Sequence, residues 1–372
     1  MSAEKSPLVA RQRDYWFDNI KGVLMILVVI GHMIASFYTA SPFMKYLYDA
    51  INFMHMGAFL ILSGYMSKRR VDQKDYISVI NKNIIPYITA QLFLYFTSVI
   101  VPNGLKAANS TYFDKSDFSF FLPIFQLWYL MAIIIFVLVS MKLKPSRRPI
   151  LFMVGAIALT LICGSVEQVN VFKLTKVISY YPFYLLGYLL PKDFMVTVRN
   201  KWQVLIGAVP VLLGYAYFMS RQDWVVGIKN IYGLSSTYEK VGELAFGLHP
   251  VFGRLFMVLV VPVVAFAFFA IVPRKKCLFS KLGQNSMSIF VLHSLFVVAF
   301  RCLNYEYKIV TKYLSSLPVC IVFVIGCVAI TFLLGSDFVK KMFKPVLDPD
   351  FDIVNIVGVL YDKYKERNEK AQ

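Results

Sequence analysis

The sequence is poor in charged residues and in histidine. Only 16% of its 372 residues are Asp, Glu, Lys or Arg, and only four are histidine. Soluble domains carry about 25% charged residues. Hydrophobic residues make up 58% of the chain and aromatic residues 16%, with a mean hydropathy of +0.62. This composition excludes an ordinary soluble domain and a disordered chain, and it predicts an integral membrane protein.

Cysteine is also scarce, and the five cysteines do not form a metal-binding pattern. Their number is odd, and each lies in or beside an apolar run. They are therefore predicted to be packing residues, and no metal is expected. The five are Cys163, Cys277, Cys302, Cys320 and Cys327.

Long apolar runs predict about ten membrane-spanning helices. The predicted spans are roughly 20–39, 45–66, 84–102, 120–141, 149–166, 174–190, 202–220, 250–272, 285–303 and 317–339. No soluble domain is visible. The chain is predicted to be an all-α integral membrane protein, with one multi-span domain over residues 1–345 and a charged tail over residues 346–372.

Basic residues recur in alternate connections between the predicted spans, as in Lys68–Arg70, Arg147–Arg148 and Arg274–Lys276. Because basic connections remain on the cytoplasmic side, both termini are predicted to be cytoplasmic. The same bias explains the net charge of +18, so no nucleic-acid partner is expected. The tail is expected to be solvated, and contact with anionic membrane lipids is a weaker alternative.

Three of the four histidines, His32, His55 and His293, are predicted to lie at one depth. Each is eleven to thirteen residues from a basic residue at the inner end of its span, as His32 is from Lys21. At 1.5 Å per residue this is roughly 16–20 Å from the inner surface. Ionisable groups at this depth are usually functional, so a shared polar cavity with a general base is predicted. Structural histidines, or a metal site, are the alternatives.

Basic side chains also cluster at the inner ends of the first three predicted spans. Most such residues only anchor topology, but Lys and Arg also pair well with phosphates. The cluster is therefore a candidate site for a phosphorylated cytosolic donor, with Asp18 expected to orient Lys21. Its members are Lys21, Lys68, Arg69, Arg70 and Lys82.

The predicted outer connection from Arg221 to His249 combines acidic and aromatic residues. Carboxylates accept hydrogen bonds and aromatic faces stack on sugar rings, so this connection suits a hydroxyl-rich ligand. An ordinary polar connection is the alternative. The candidate ligand residues are Asp223, Trp224, Glu239 and Glu243.

Several motifs in chain order resemble a known family. Lys21, ten residues and His32 come first, followed by Phe53–Tyr65, Leu127–Leu130, Tyr181–Tyr188 and Leu282–His293. Together they resemble the membrane acyltransferases of acyltransferase family 3, close to the subgroup labelled fucose 4-O-acetylase-like. The second motif departs from the family pattern, with Met54 between Phe53 and His55 and with Gly57 where proline is usual.

The resemblance implies a bacterial plasma-membrane enzyme. Such an enzyme moves an acyl group, usually acetyl, from cytosolic acetyl-coenzyme A to a hydroxyl of an extracytoplasmic or lipid-linked cell-surface glycan. It implies that His32 is catalytic, that Lys21 is its motif partner, and that Lys68 to Arg70 contact the phosphates of coenzyme A. Lys82 is a further candidate contact for the donor.

The remaining site residues are assigned from chemistry, for His55, or from their place in the matching motifs. His55 is predicted to assist His32, either as its partner or as a donor to the thioester oxygen. Trp128, Tyr129 and His293 are predicted to contact the acceptor. Direct transfer is expected, with a covalent acyl-histidine or acyl-serine as the alternative. A transporter or sensing module and a structural scaffold are rival functions, and a homo-oligomer is an open possibility.

Overall fold

The structure is a computed structural model that describes residues 13–100, 119–221, 231–244, 247–307 and 312–348. All regular secondary structure in these ranges is helical, which confirms the predicted all-α class. Ten long helices each overlap one of the ten predicted ranges. They are α1 (Tyr15–Ile34), α2 (Pro42–Asp72), α3 (Ile85–Ile100), α4 (Trp128–Leu143), α5 (Pro149–Ile162), α6 (Leu174–Leu189), α7 (Trp202–Ser220), α8 (Pro250–Ile271), α9 (Ser286–Tyr307) and α10 (Leu317–Leu334).

Short helical segments lie between the long helices or follow the last of them. The α-helical ones are Tyr76–Val79, Lys192–Asn200, Tyr238–Val241, Leu278–Gln284, Asp337–Met342 and Lys344–Leu347. A π-helical turn covers Ile80–Ile84, and 3₁₀ turns cover Phe125–Leu127, Pro145–Arg147, Cys163–Ser165 and Val171–Lys173. Within the described residues, six helical segments are long and apolar enough to cross a membrane. The count of about ten spans and the cytoplasmic location of both termini stay predictions.

The first two helices extend beyond their predicted ranges. α1 begins at Tyr15 rather than at 20, because the Asp14 side chain accepts a hydrogen bond from the Trp16 amide and caps the helix. Lys21 therefore lies inside the helix and not at its entrance. α2 runs on to Asp72 rather than ending at 66, so its 31 residues extend about 46 Å at 1.5 Å per residue.

The fourth predicted span, 120–141, was placed too early. α4 begins at Trp128 after a single 3₁₀ turn. The preceding segment is held in an irregular path by two side chains of α3. Tyr87 donates to the carbonyl of Phe120 at 2.7 Å, and Gln91 donates to that of Leu122 at 2.8 Å. These bonds satisfy backbone groups that a helix would otherwise pair internally.

The side of the bundle where α1 begins is predicted to face the cytoplasm and is called the inner side. The helices there pack closely on one another. α2 lies along α6, and α1 lies along the short helix Leu278–Gln284. A Cβ added at Gly64 would stand 2.0 Å from the carbonyl oxygen of Tyr184, and one at Gly283 would stand 1.8 Å from that of Asp18. Only glycine lets two helix backbones approach this closely.

Several helices expose their apolar side chains at the periphery of the bundle. Leu213 on α7 is 65% exposed, and Val322 on α10 is 67% exposed. Such extended apolar surface is typical of a lipid-facing belt and agrees with a multi-pass membrane protein.

The predicted boundary at residue 345 falls within a packed segment. Thr89 of α3 donates a hydrogen bond to the Val346 carbonyl at 2.6 Å, so ordered contacts continue past that boundary. The rest of the predicted tail, from residue 349 onward, lies outside the described residues.

Candidate active site

Three histidines from three helices converge inside the bundle. The ring centroid of His32 on α1 lies 6.4 Å from that of His55 on α2 and 5.3 Å from that of His293 on α9. Phe125 packs edge-on against His32 at 4.8 Å. The structure thus brings the three predicted histidines together, while their common depth in the membrane stays a prediction. The helix rotations, which the sequence did not reveal, turn all three rings toward one another.

Backbone contacts fix the tautomers of the two flanking rings. Nδ1 of His55 lies 2.7 Å from the Ile51 carbonyl oxygen, and Nδ1 of His293 lies 3.0 Å from that of Ile289. Because a carbonyl oxygen only accepts, Nδ1 is the donor in both rings. In the neutral rings, Nε2 therefore carries the lone pair. Within the described residues, Nε2 of His293 is buried without a hydrogen-bond partner.

A cavity of about 240 Å³ opens beside His32 and His55, close to the roughly 300 Å³ lower limit of typical ligand pockets. Its wall combines aromatic and polar side chains with a single lysine. Besides the two histidines, it includes Tyr48, Asn52, Gln126, Trp128, Tyr129, Lys176, Tyr180 and Tyr232. We call this space the histidine cavity.

A smaller space of about 130 Å³, the vestibule, adjoins the histidine cavity on the inner side. The two share four wall residues, Met25, Phe59, Tyr129 and Phe290. Tyr129 and Ser63 share a hydrogen bond of 2.6 Å at this junction.

A larger basin of about 1080 Å³ follows at the inner surface and shares Lys21 and Met66 with the vestibule. We call it the inner basin. Its wall carries many cationic groups, including Lys21, Lys68, Arg69, Lys192 and Arg199. The three spaces thus adjoin in series from the inner surface to the histidines.

Charged contacts fix the groups at the rim of the inner basin. The Lys21 ammonium lies 2.9 Å from Asp18, which confirms the expected pairing, and Arg13 contacts the same carboxylate at 2.6 Å. This hydrogen bond raises the pKa of the Arg13 guanidinium. Lys68 lies beyond the end of the second predicted span, 45–66. Burial lowers the pKa of its ammonium, and the nearby Asp72 carboxylate opposes that shift.

An irregular outer segment covers one side of the histidine cavity and supplies Tyr232 and Gly233 to its wall. Arg254 of α8, only 1% exposed, holds this segment in place. Its guanidinium donates to the Ser236 carbonyl at 2.7 Å and to the Thr160 carbonyl on α5 at 3.0 Å. Tyr180 adds a 2.7 Å hydrogen bond to the Tyr232 carbonyl.

The predicted acceptor residues are divided between the cavity wall and other places. Trp128 and Tyr129 line the cavity. His293 stands behind His32, 0% exposed and off the wall. Glu239 and Glu243 are exposed and away from the wall. The predicted residues Asp223 and Trp224 lie outside the described residues.

The predicted donor residues are divided in the same way. Lys21, Lys68 and Arg69 line the inner basin, as a donor site requires. Arg70 instead hydrogen-bonds Asn83, and Lys82 is exposed; neither is part of the basin wall.

Sequence reasoning missed Lys176, Gln126 and Asn52, which are polar groups on the cavity wall. Each belongs to, or adjoins, a predicted apolar run, and a polar residue within a span is itself a functional signal. In the described ranges, no three His, Cys, Asp or Glu side chains are arranged to hold a metal ion.

The helical bundle, its apolar periphery and its buried histidine cavity together define a multi-pass membrane protein with an internal polar site. The chain belongs to the family described as "Acyltransferase domain", whose sequence model matches residues 14–335. This match covers nearly the whole chain and confirms the family inferred from the motifs. The narrower fucose 4-O-acetylase-like subgroup stays a prediction.

Two relatives carry the name nodulation protein NolL. The one from Mesorhizobium japonicum is 27% identical over 236 residues, covering 59% of this chain and 58% of the relative. The one from Sinorhizobium fredii is 30% identical over 91 residues, covering 23% of this chain and 24% of the relative. The chain thus spans little more than half of the first relative and about a quarter of the second. No solved structure matches the chain.

Proposed function

We propose that this acyltransferase is a membrane O-acyltransferase of the bacterial plasma membrane. It takes an acyl group, with acetyl expected, from acyl-coenzyme A on the cytoplasmic side. It transfers that group to a hydroxyl of an extracytoplasmic or lipid-linked cell-surface glycan. The observation that carries this proposal is the series of three adjoining spaces from the cationic inner basin to the histidines.

The series suits a donor with an anionic head and a long, thin arm. The nucleotide phosphates of coenzyme A would bind the lysines and arginines of the inner basin. The pantetheine arm would pass Lys21 and the vestibule to bring the thioester to His32. Along α1 these two residues are eleven positions apart, about 16 Å at 1.5 Å per residue.

The chemistry that this arrangement supports is general-base catalysis of ester formation. His32 removes the proton of the acceptor hydroxyl while its oxygen attacks the thioester carbonyl. The carbon–sulfur bond then breaks, and the departing sulfur takes the proton from His32. The products are an O-acyl ester and free coenzyme A thiol, and His32 returns to its neutral form.

The flanking histidines are better suited to orient His32 than to donate to the thioester. In the neutral rings of His55 and His293, the Nδ1 proton is already used by a backbone carbonyl, so Nε2 can only accept. Either ring could accept the N–H of His32 and so fix which of its nitrogens faces the substrate. This favours the partner role over the donor role for His55.

Thiol release from acetyl-coenzyme A by the purified full-length protein, with and without a glycan acceptor, tests the proposal. For His32→Ala we expect turnover to fall about 10²–10⁴-fold, the usual contribution of a general base. His249→Ala is the matched control, because His249 is exposed outside the cavity and should leave turnover unchanged. A folded His32→Ala protein with full turnover would contradict the proposed role of His32.

Mass spectrometry of the protein after incubation with donor alone separates direct transfer from a covalent route. Direct transfer predicts no added acetyl group. An acetyl group on His32, or on Ser63 or Ser286 of the vestibule wall, would instead show an acyl-enzyme.

A further inference from the structure

One cation stands on the wall of the histidine cavity, and the proposed reaction gives it no role. Lys176 is the only lysine or arginine among the described residues of that wall, which includes no aspartate or glutamate. The cavity thus carries a positive charge without a counter-ion of its own. Lys176 is partly buried. A charged group inside a membrane protein usually pairs with an opposite charge, so such a group is expected to meet an anion in the working state.

The contacts of Lys176 do not supply that anion. Its ammonium lies 4.0 Å from the ring centroid of Trp128, a cation–π contact. Within the described ranges, no carboxylate lies at ion-pair distance from it. Lys176 and Trp128 also occupy the first turns of α6 and α4, where the helix dipoles add positive potential. The charge therefore faces an aromatic surface inside the cavity.

The phosphates of the donor cannot be the missing partner while they occupy the inner basin. Lys176 is at one end of α6, and the inner basin begins beyond the other end, at Lys192. From Lys176 to Leu189 the helix rises about 20 Å at 1.5 Å per residue. Lys176 thus belongs to the acceptor side of the cavity.

We propose that Lys176 forms a subsite for a negatively charged group of the acceptor, a carboxylate or a phosphate ester, next to the hydroxyl that is acylated. The ammonium pairs with the anion, and the faces of Trp128 and Tyr180 support the sugar ring. This inference rests on the proposed function and narrows its acceptor to acidic glycans.

Three matched acceptors test the subsite: a trisaccharide ending in glucuronate, its carboxyl-reduced glucose counterpart, and the same glucose trisaccharide carrying a 6-phosphate. Thiol release gives kcat and KM for each, and calorimetry on the full-length protein in detergent gives each Kd. We expect at least one anionic acceptor to have a kcat/KM ten or more times that of the neutral one, mainly through KM. Comparing the glucuronate acceptor with the 6-phosphate acceptor shows whether the subsite binds a carboxylate or a phosphate ester.

Lys176→Gln should lower that preference about tenfold, and Lys176→Arg should retain most of it. Lys173→Gln is the control, since Lys173 lies at the same end of α6 but off the cavity wall and contacts Asn170. It should keep the preference of the wild type. If Lys176→Gln slowed all three acceptors equally, Lys176 would act on the reaction or the fold, and the subsite would be refuted.

A wild type without preference among the acceptors would also refute the subsite. Absence of thiol release with every acceptor would instead overturn the proposed function. The Kd values from calorimetry would then test the subsite without any need for turnover. Binding of an anionic trisaccharide that is weakened by Lys176→Gln would support it, and equal binding by both proteins would refute it.

Discussion

In the described bundle, close backbone contacts at glycines belong to the inner half, whereas buried donors reach carbonyls in both halves, as Asn19 does to Pro273 in the inner one. In the inner half, helix backbones touch at glycines: Gly64 against α6, Gly187 against α2, and Gly22 and Gly283 between α1 and the helix Leu278–Gln284. In the outer half, buried donors reach across to carbonyls of irregular segments. Arg254, Gln91 and Tyr180 are the main donors there.

The difference follows from backbone hydrogen bonding. A continuous helix satisfies its own amides and carbonyls, so two helices can meet without further polar contacts. An irregular segment at the same place exposes carbonyls that need donors from side chains. Under the proposed function, the closely packed inner half would line the path of the donor. The outer half would be a wall that a few side chains position around the acceptor.

Gly64→Ala should give the largest effect, because its Cβ would meet backbone atoms of α6, which cannot turn away. We expect a loss of about 3 kcal/mol in stability from this overpacking. The measurement is the midpoint of thermal unfolding in detergent. Gly155→Ala on α5 is the control, since a Cβ added there would meet no neighbouring helix within 4 Å, and its stability should be unchanged or slightly higher. Equal midpoints for the two variants would refute the glycine contact.

Arg254→Met should destabilise the outer half by about 2 kcal/mol, because it leaves buried carbonyls without donors. The KM for the acceptor should rise more than that for the donor, since the segment with Tyr232 loses its anchor. Arg199→Met removes an exposed ion pair with Asp14 and should cost about 1 kcal/mol at most. A rise in donor KM alone for Arg254→Met would contradict the division into two halves.

Lys21→Gln should raise the KM for acetyl-coenzyme A about tenfold, or about 1.4 kcal/mol. The reason is that Lys21 lies where the inner basin meets the vestibule. Steady-state kinetics at saturating acceptor measure this effect. Lys281→Gln is matched to it, because Lys281 pairs with Asp337 at 2.8 Å outside the basin wall and should leave the KM unchanged. Similar KM values for Lys21→Gln and Lys281→Gln would show that Lys21 does not contribute to the donor site.

Tyr129→Phe should give the smallest effect, about 1 kcal/mol, since it removes one neutral hydrogen bond to Ser63. Ser63→Ala should cost about the same, and the double variant should cost no more than either alone. The midpoints of thermal unfolding of the wild type and the three variants form a double-mutant cycle that measures the interaction. Strict additivity would show that the hydrogen bond does not join α2 and α4 at the vestibule.

Much of the fold was predictable because membrane insertion is governed by local composition. Each predicted apolar range overlaps a long helix, and α7 coincides with its prediction, 202–220. The errors lie at helix ends. Asp14 caps α1 early, and α2 continues to Asp72, whose carboxylate accepts a hydrogen bond from Tyr188 on α6 at 2.9 Å. Contacts between segments far apart in the chain determine where such helices end, and these contacts cannot be predicted from hydropathy.

The meeting of the three histidines was predictable, but several of the other residues of the candidate site were not. Counting residues along the spans placed His32, His55 and His293 at one level, and the structure joins them. The same counting could not show that His293 stands behind His32 or that Lys176 reaches the cavity. Rotation about a helix axis depends on which neighbours each face meets.

The sequence by itself determined the helical class, and it predicted one level for the three histidines and a cytoplasmic side for the basic ends of the spans. These depend on the free energy of moving each side chain between water and lipid, which is a local property. Only the tertiary structure decided which side chains share a cavity, how three spaces adjoin in series, and where Arg254 anchors the outer wall. Those depend on close approach between helices far apart in the chain, and packing alone sets that geometry.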